Sequence, residues 1–421
     1  MEYTVSKKAN KKIAKDMEII ISEIRKKYPE IISIILSGGF SRGEGPVKIE
    51  GNKVYPYNDY DIQIISKNKI SKDISDKLSI DISKKLGYRG IDNFYPFKKE
   101  EQKIKDNFYI DLKWDSLKDL RNLLPRIRNY ELKKHSKIIY GNDVRKIIPE
   151  YSLKDMPLSE GAKLLLDRMS QMVEYYSEKG NYEQECLSYF IQQCYAACCT
   201  SLLLLSGKYQ IGYEKSMKIL KETYEKDFPE LYKKIPNLHH KIEYFVNWKV
   251  DPKKPIIKNL KEEWFIAKNN LIEVTKYFFS KFLKKNICST EDLSKNILRM
   301  DKEFYIPYIN SILKNKIGFK SEIISRVLIP FVKVTLIKKY KDRLRQIERK
   351  KIGFVWNSPD LIIFGSLPFL IDSIKQEEVN QNELEKCKNL LKKVYPVKGK
   401  YWEEISTEYA NAYILFFLQK I

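Results

Sequence analysis

Three aspartates spaced for a shared cation are the residues of this chain best suited to chemistry. Asp59 and Asp61 lie one residue apart in Asn58-Asp59-Tyr60-Asp61-Ile62, and Asp111 lies within Tyr109-Ile110-Asp111-Leu112-Lys113-Trp114. Alternate residues of a β-strand point to the same face, so Asp59 and Asp61 would present two carboxylates side by side. If the strand holding Asp111 is their neighbour, three anionic groups converge. Crowded carboxylates repel one another, and a hard divalent cation with oxygen preference, usually Mg²⁺, relieves the repulsion. Metal-assisted phosphoryl chemistry is what such a site does. In the bland alternative Asn58-Asp59 belongs to a turn and Asp61 solvates an edge. Asp111 argues against it, because a carboxylate between Ile110 and Leu112 is costly to bury without a charge partner.

Upstream, Leu36-Ser37-Gly38-Gly39-Phe40-Ser41-Arg42-Gly43-Glu44 puts a glycine pair directly after the β-branched run Ile31 to Leu36. A strand that turns into a helix at Gly38 and Gly39 leaves backbone N–H groups free for phosphate oxygens, and Ser37, Ser41 and Arg42 are close enough in sequence to add hydrogen bonds or charge. Alone, the pair is a plain turn. Arg42 is equally suited to a surface salt bridge.

Together these segments resemble the nucleotidyltransferase superfamily that shares its catalytic core with DNA polymerase beta. Its pattern is a glycine turn after a hydrophobic strand, an Asp-x-Asp strand, and a third acid on a neighbouring strand. Two departures stand out: position 39 is Gly where many members carry Ser, and the gap from Gly39 to Asn58 is long. A hairpin turning at Gly51-Asn52, between Val47 to Glu50 and Lys53 to Tyr57, would absorb the excess.

The resemblance covers about the first 150 residues. It implies that Asp59, Asp61 and Asp111 hold two Mg²⁺ ions, that Asp111 accepts the acceptor hydroxyl's proton, and that Gly38, Gly39, Ser41 and Arg42 contact an NTP such as ATP. By the same analogy, Arg126, Arg128, Lys133, Lys163 and Arg168 are candidates to reach the triphosphate, although a solvated helix face is the better reading of each from the residues alone. The activity implied is transfer of a nucleoside monophosphate from an NTP to an acceptor hydroxyl with release of pyrophosphate. The acceptor could be RNA such as a tRNA 3′ end, a small molecule, or a protein side chain. A non-catalytic or antitoxin-like regulatory protein that binds nucleotide is the alternative, disfavoured by the presence of all three acids.

At 421 residues the chain is long enough for two or three domains, and 43% hydrophobic residues suffice for sizeable cores. The expected class is α+β: a small mixed β-sheet domain over 1–150, then a large all-α region divided into 151–288 and 289–421. The boundaries rest on the loss of strand-like alternation near 150 and a polar break at Asn286 to Asp292. Amphipathic patterns predict helices over Ser6 to Lys27, Ile70 to Leu86, Leu158 to Ser177, Tyr182 to Leu205, Gly212 to Asp227, Leu260 to Lys285, Lys302 to Lys314, Ser321 to Lys350, Pro359 to Ile374, Gln381 to Val394 and Lys400 to Gln419. Phe108 to Trp114 reads as a strand, Asp115 or Ser116 as the cap of the next helix, with Asp119 three residues beyond Ser116 where a capping-box acid belongs, and Val250 to Pro255 as a connector.

The formal charge of +23 would draw polyanions such as NTP or tRNA. Only 13 of the 78 basic residues are arginine, which weakens a nucleic-acid reading. The most apolar stretch, Cys194 to Ser206, is too short to span a membrane, and no secretory signal is evident, so a cytoplasmic protein without a membrane partner is expected. Six cysteines without Cys-x-x-Cys spacing read as buried thiols, and the three histidines show no relation to the acids. Arg126, Arg128 and Lys133 form a basic cluster, best read as a solvated helix face. Oligomeric state and NTP preference are not legible.

Overall fold

A computed structural model describes residues 2–88, 109–177, 184–252, 257, 259–348, 357–376 and 378–418. Phe108, Tyr182, residues 253–255 of the expected connector, Lys350 and Gln419 lie outside them.

The N-terminal part is built on a four-stranded mixed sheet. Helix α1 (Lys7–Lys27) starts at Ser6, whose side chain accepts from the Ala9 N–H, and buries Ala9, Ile13, Met17, Ile20 and Ile24 along one stripe. Strand β1 (Ser33–Leu36) runs into the short helix α2 (Gly38–Arg42). Strands β2 (Val47–Glu50) and β3 (Lys53–Pro56) pair antiparallel as the expected hairpin, with Gly51 at φ +58° in its turn. Then come β4 (Tyr60–Ser66), α3 (Lys72–Lys85), β5 (Ile110–Ser116), α4 (Leu117–Arg121), α5 (Ile127–His135) and β6 (Lys137–Gly141). The sheet order is β5-β4-β1-β6, antiparallel except between β4 and β5. Ser116 and Asp119 cap α4 reciprocally, as their spacing predicts. One sheet face packs on α1 and α3 through Ile34, Ile62, Ile64, Leu78 and Trp114.

Beyond residue 150 the structure is helical: α6 (Ser159–Glu174), α7 (Gln184–Leu205), α8 (Tyr213–Asp227), α9 (Pro229–Lys234), α10 (Leu238–Val250), α11 (Leu260–Leu283), α12 (Thr290–Ile297), α13 (Asp301–Ile317), α14 (Glu322–Glu348), α15 (Pro359–Ser373), α16 (Gln381–Leu391) and α17 (Trp402–Tyr413), closed by a π-turn at Ile414–Leu418. One apolar cluster runs from Met156 to Leu415, on both sides of position 288, so 151–288 and 289–421 share a core. The polar break at Asn286 to Asp292 is a helix start: Ser289 and Asp292 form a capping box on α12. In α7, Cys186–Leu205 has the length and apolarity of a membrane span, more than the sequence reading allowed, but 83% of it is buried inside the protein. Five of the six cysteines are buried and all are free; Cys288 is exposed.

Candidate active site

The register of two strands assembles the acids. Strand β4 is central, and its parallel neighbour β5 sets Asp111 directly opposite Asp61. Asp59 immediately precedes β4 and shares the Asp61 face, while Tyr60 points the other way into the core, where its hydroxyl donates to Asp16 at 2.8 Å. Asp59, Asp61 and Asp111 are each half-buried, and one oxygen from each lies within 4.8 Å of the others. Three carboxylate oxygens with no nitrogen or sulfur donor form the set a hard divalent cation prefers, so the residues fit Mg²⁺.

Electrostatics carry the same message. Burial, then the charges of Asp61 and Asp111, push Asp59 up to about 8. Burial also raises Asp61 above the usual carboxylate range, against the pull of Arg128 and with Asp111 adding to the rise. Without a cation the cluster resists full ionisation. Arg128 of α5 supplies part of the compensation, with Nη2 3.4 Å from Asp111 and 3.9 Å from Asp61 and a side chain 44% exposed. Tyr109 donates its hydroxyl hydrogen bond to Asp59.

Gly38 is fixed by the same geometry. It has φ +70°, and a methyl group there would overlap the Asp61 carboxylate at Oδ2. Position 39 is roomier: a Cβ would stand 3.4 Å from the Glu44 carbonyl. The other residues of that segment are occupied. Ser41 is buried and donates to the carbonyls of Gly38 (2.8 Å) and His135 (3.1 Å). Arg42 is 10% exposed and is held by Glu44 at 3.0 Å and Glu131 at 2.9 Å.

Residues of the helices reach the vicinity of the acids. Tyr189 of α7 donates to the Asn58 side chain at 2.8 Å, next to Asp59. Lys249 of α10 is 4% exposed, with Nζ 5.3 Å from the Tyr189 ring and 5.5 Å from the Tyr213 ring. Burial first, then the nearby Arg168, pull Lys249 down to about 7, while Asp59 and Asp61 pull the other way. Arg168 donates to Gln171 and leaves its buried Nε without a partner. Lys163 sits with Nζ 5.8 Å from the Phe417 ring. Lys163, Arg168, Arg128 and Arg42 line one cavity of about 880 Å³ between the sheet domain and the helices.

Thus the three acids and Gly38 meet at one point, Lys163 and Arg168 face the adjoining cavity, and Ser41 and Arg42 are engaged elsewhere. The basic cluster divides: Arg128 reaches the acids, Arg126 stacks on Tyr308 at 5.1 Å, and Lys133 pairs with Glu150 at 3.0 Å. Tyr189 and Lys249 escape the sequence reading. The available signal for Lys249 is its position on the buried stripe Leu238, Ile242, Phe245, Val246, where an ammonium needs a reason.

No protein-family model matches the chain, and no curated protein matches it. Among solved structures, a spectinomycin adenyltransferase from Enterococcus faecialis, crystallised with ATP and spectinomycin, is similar at 15% identity and TM-score 0.36 over 61% of this chain and 98% of that one.

Proposed function

We propose that the chain is a metal-dependent nucleotidyltransferase that moves a nucleoside monophosphate from an NTP to the hydroxyl of a small-molecule acceptor. The observation that carries this is the triad: three carboxylates on adjacent strands, within 4.8 Å of one another, against a glycine that their packing requires.

In this reading Asp59, Asp61 and Asp111 hold the divalent cations. Bound there, Mg²⁺ supplies neutralisation of triphosphate charge and eases ionisation of the acceptor hydroxyl. The chain's own side chains do the rest. Asp111, on the edge strand β5 and 3.4 Å from the cavity-lining Arg128, accepts the hydroxyl proton. Lys249 and Arg168 meet the triphosphate, which gives the buried ammonium and the unpartnered Nε their missing acceptors. Tyr189 holds Asn58, and so the approach to Asp59, in place. The cavity has the size of small-molecule sites, about 300–1,000 Å³, which favours a compact acceptor over a long RNA.

The test is to supply NTP radiolabelled on the α-phosphate, Mg²⁺, and either a metabolite extract or total RNA. Label should move to a small molecule in the first case. Label on RNA alone would replace the acceptor assignment. No transfer to any pool by a protein that binds NTP would favour the regulatory alternative.

A further inference from the structure

The helix pair α13–α14 leaves an apolar face that nothing among the described residues covers. Its inner side is accounted for: Tyr305, Ile309 and Ile329 pack into a small cluster of their own, and Tyr340 and Leu344 fasten the far end of α14 to the main core. The outer side consists of Ile323, Val327, Phe331 and Val334, exposed by 79%, 62%, 67% and 65%. These positions recur at steps of four, four and three, a single stripe along a helix. Ile317 and Phe319 extend the patch around the turn between the helices and are exposed by 52% and 50%. Contiguous exposed apolar side chains of this kind mark a contact surface.

Charge indicates what makes the contact. Residues 312–341 contain eight Lys or Arg and one acid, Glu322, against 78 and 55 in the whole chain. That acid is paired with Arg326. Lys314 and Lys316 beside the turn and Lys338 at the end of the stripe are exposed. A second copy laid along the stripe would bring these cations against their own kind. Protein hot spots favour Trp, Tyr and Arg, whereas this stripe is Ile, Val and Phe edged mainly by lysine. Aliphatic side chains with a basic margin suit the boundary between headgroups and acyl chains. We propose that the α13–α14 hairpin binds the surface of an anionic lipid bilayer, its apolar face entering the interface and its lysines meeting headgroup phosphates. The chain would then lie on a membrane without crossing it.

Co-sedimentation of the full chain with phosphatidylcholine vesicles, with and without phosphatidylglycerol, tests this. Binding should be at least about tenfold tighter to the anionic vesicles at low salt and should weaken as salt rises. The double variant Ile323→Glu, Phe331→Glu should lose about tenfold or more of that binding while keeping the wild-type Tm, because both side chains already face solvent. A second variant, Lys314→Glu with Lys316→Glu, should lower the preference for phosphatidylglycerol. Equal binding to both vesicle types, no binding to either at low salt, or unchanged binding by the first variant would overturn the proposal. A dimer seen by light scattering in the absence of lipid, and dissolved by the first variant, would assign the face to a second copy instead. Nucleotide transfer in vesicle-free buffer is separate, so its outcome bears only on the active site.

Discussion

A carboxylate triad held together without its counter-ion is a local source of instability, and this sets the response of each member to substitution. Asp59→Asn should cut transfer by about a thousandfold, a loss of several kcal/mol of transition-state stabilisation. The same change should raise Tm by a few degrees in chelator at neutral pH, because it removes a carboxyl that folding must otherwise keep protonated beside Asp61 and Asp111. Mg²⁺ should raise the Tm of the wild type and have a smaller effect on the variant; transfer at the wild-type rate by the variant would refute the site. The two glycines separate sharply. Gly38→Ala should abolish activity through overlap with Asp61, whereas Gly39→Ser, with its Cβ 3.4 Å from Glu44, should retain most of it. Lys249 gives a pH signature. Its pKa near 7 lies below the unfolded value of about 10.4, so between them the unfolded chain binds the proton that the folded chain lacks, and stability rises with pH across that window. Lys249→Met should therefore raise Tm most at or below about pH 7 and have little effect near pH 10, while increasing the KM for NTP. An equal Tm shift at both pH values would show that Lys249 is not desolvated. Arg168, Arg42, Asp59 and Asp61 are the charges that act on it. The acids were legible because their spacing has the strand period. Lys249 and Tyr189 were not, because the partners that give them meaning lie far away in the chain.

At the scale of elements, the sheet and helical parts are joined by a charged seam. Arg42 from α2 is gripped by Glu44 and by Glu131 of α5; Glu131 also accepts from the Tyr209 hydroxyl, and Glu44 accepts the Tyr213 N–H at 2.6 Å. Removing one partner strands the other charges in a largely dry junction, so Glu131→Gln should cost about 2–4 kcal/mol in denaturant unfolding. Unchanged stability would mean that the seam is solvated. Sequence patterning located α1, the β2–β3 hairpin and the α4 cap, since each is set by neighbours a few residues apart. It missed β6, a five-residue strand in a basic setting whose pairing with β1 is non-local. It also missed α10, where His, Phe, Val, Trp and Tyr carry weak helix preference and packing against α7 and α8 supplies the stability.

Over the whole molecule, one core ties α6 through α17 together, which the polar segment at 286–292 obscured because a helix cap and a linker share a composition. The net charge of +23 should speed capture of NTP, so its association rate should fall between low and physiological salt while turnover at saturation stays nearly constant. A salt-independent association rate would locate the cationic excess away from the cavity. The sequence alone could not reveal where that excess gathers, because lysine is spread along the entire chain.

The strand pair inserted between Gly39 and Asn58 leaves and rejoins the chain at nearly one place, where the Tyr57 N–H donates to the Pro46 carbonyl at 2.9 Å; at the far turn a side chain on Gly51 would meet open space, and the turn is tied to α1 by Lys8 donating to the Gly51 carbonyl at 3.1 Å. That turn is therefore a natural port for a foreign peptide or fluorophore. A reporter carried there would sit on a hairpin that rejoins the chain at Tyr57, two residues before Asp59, the first acid of the carboxylate triad, without stretching the backbone that forms it.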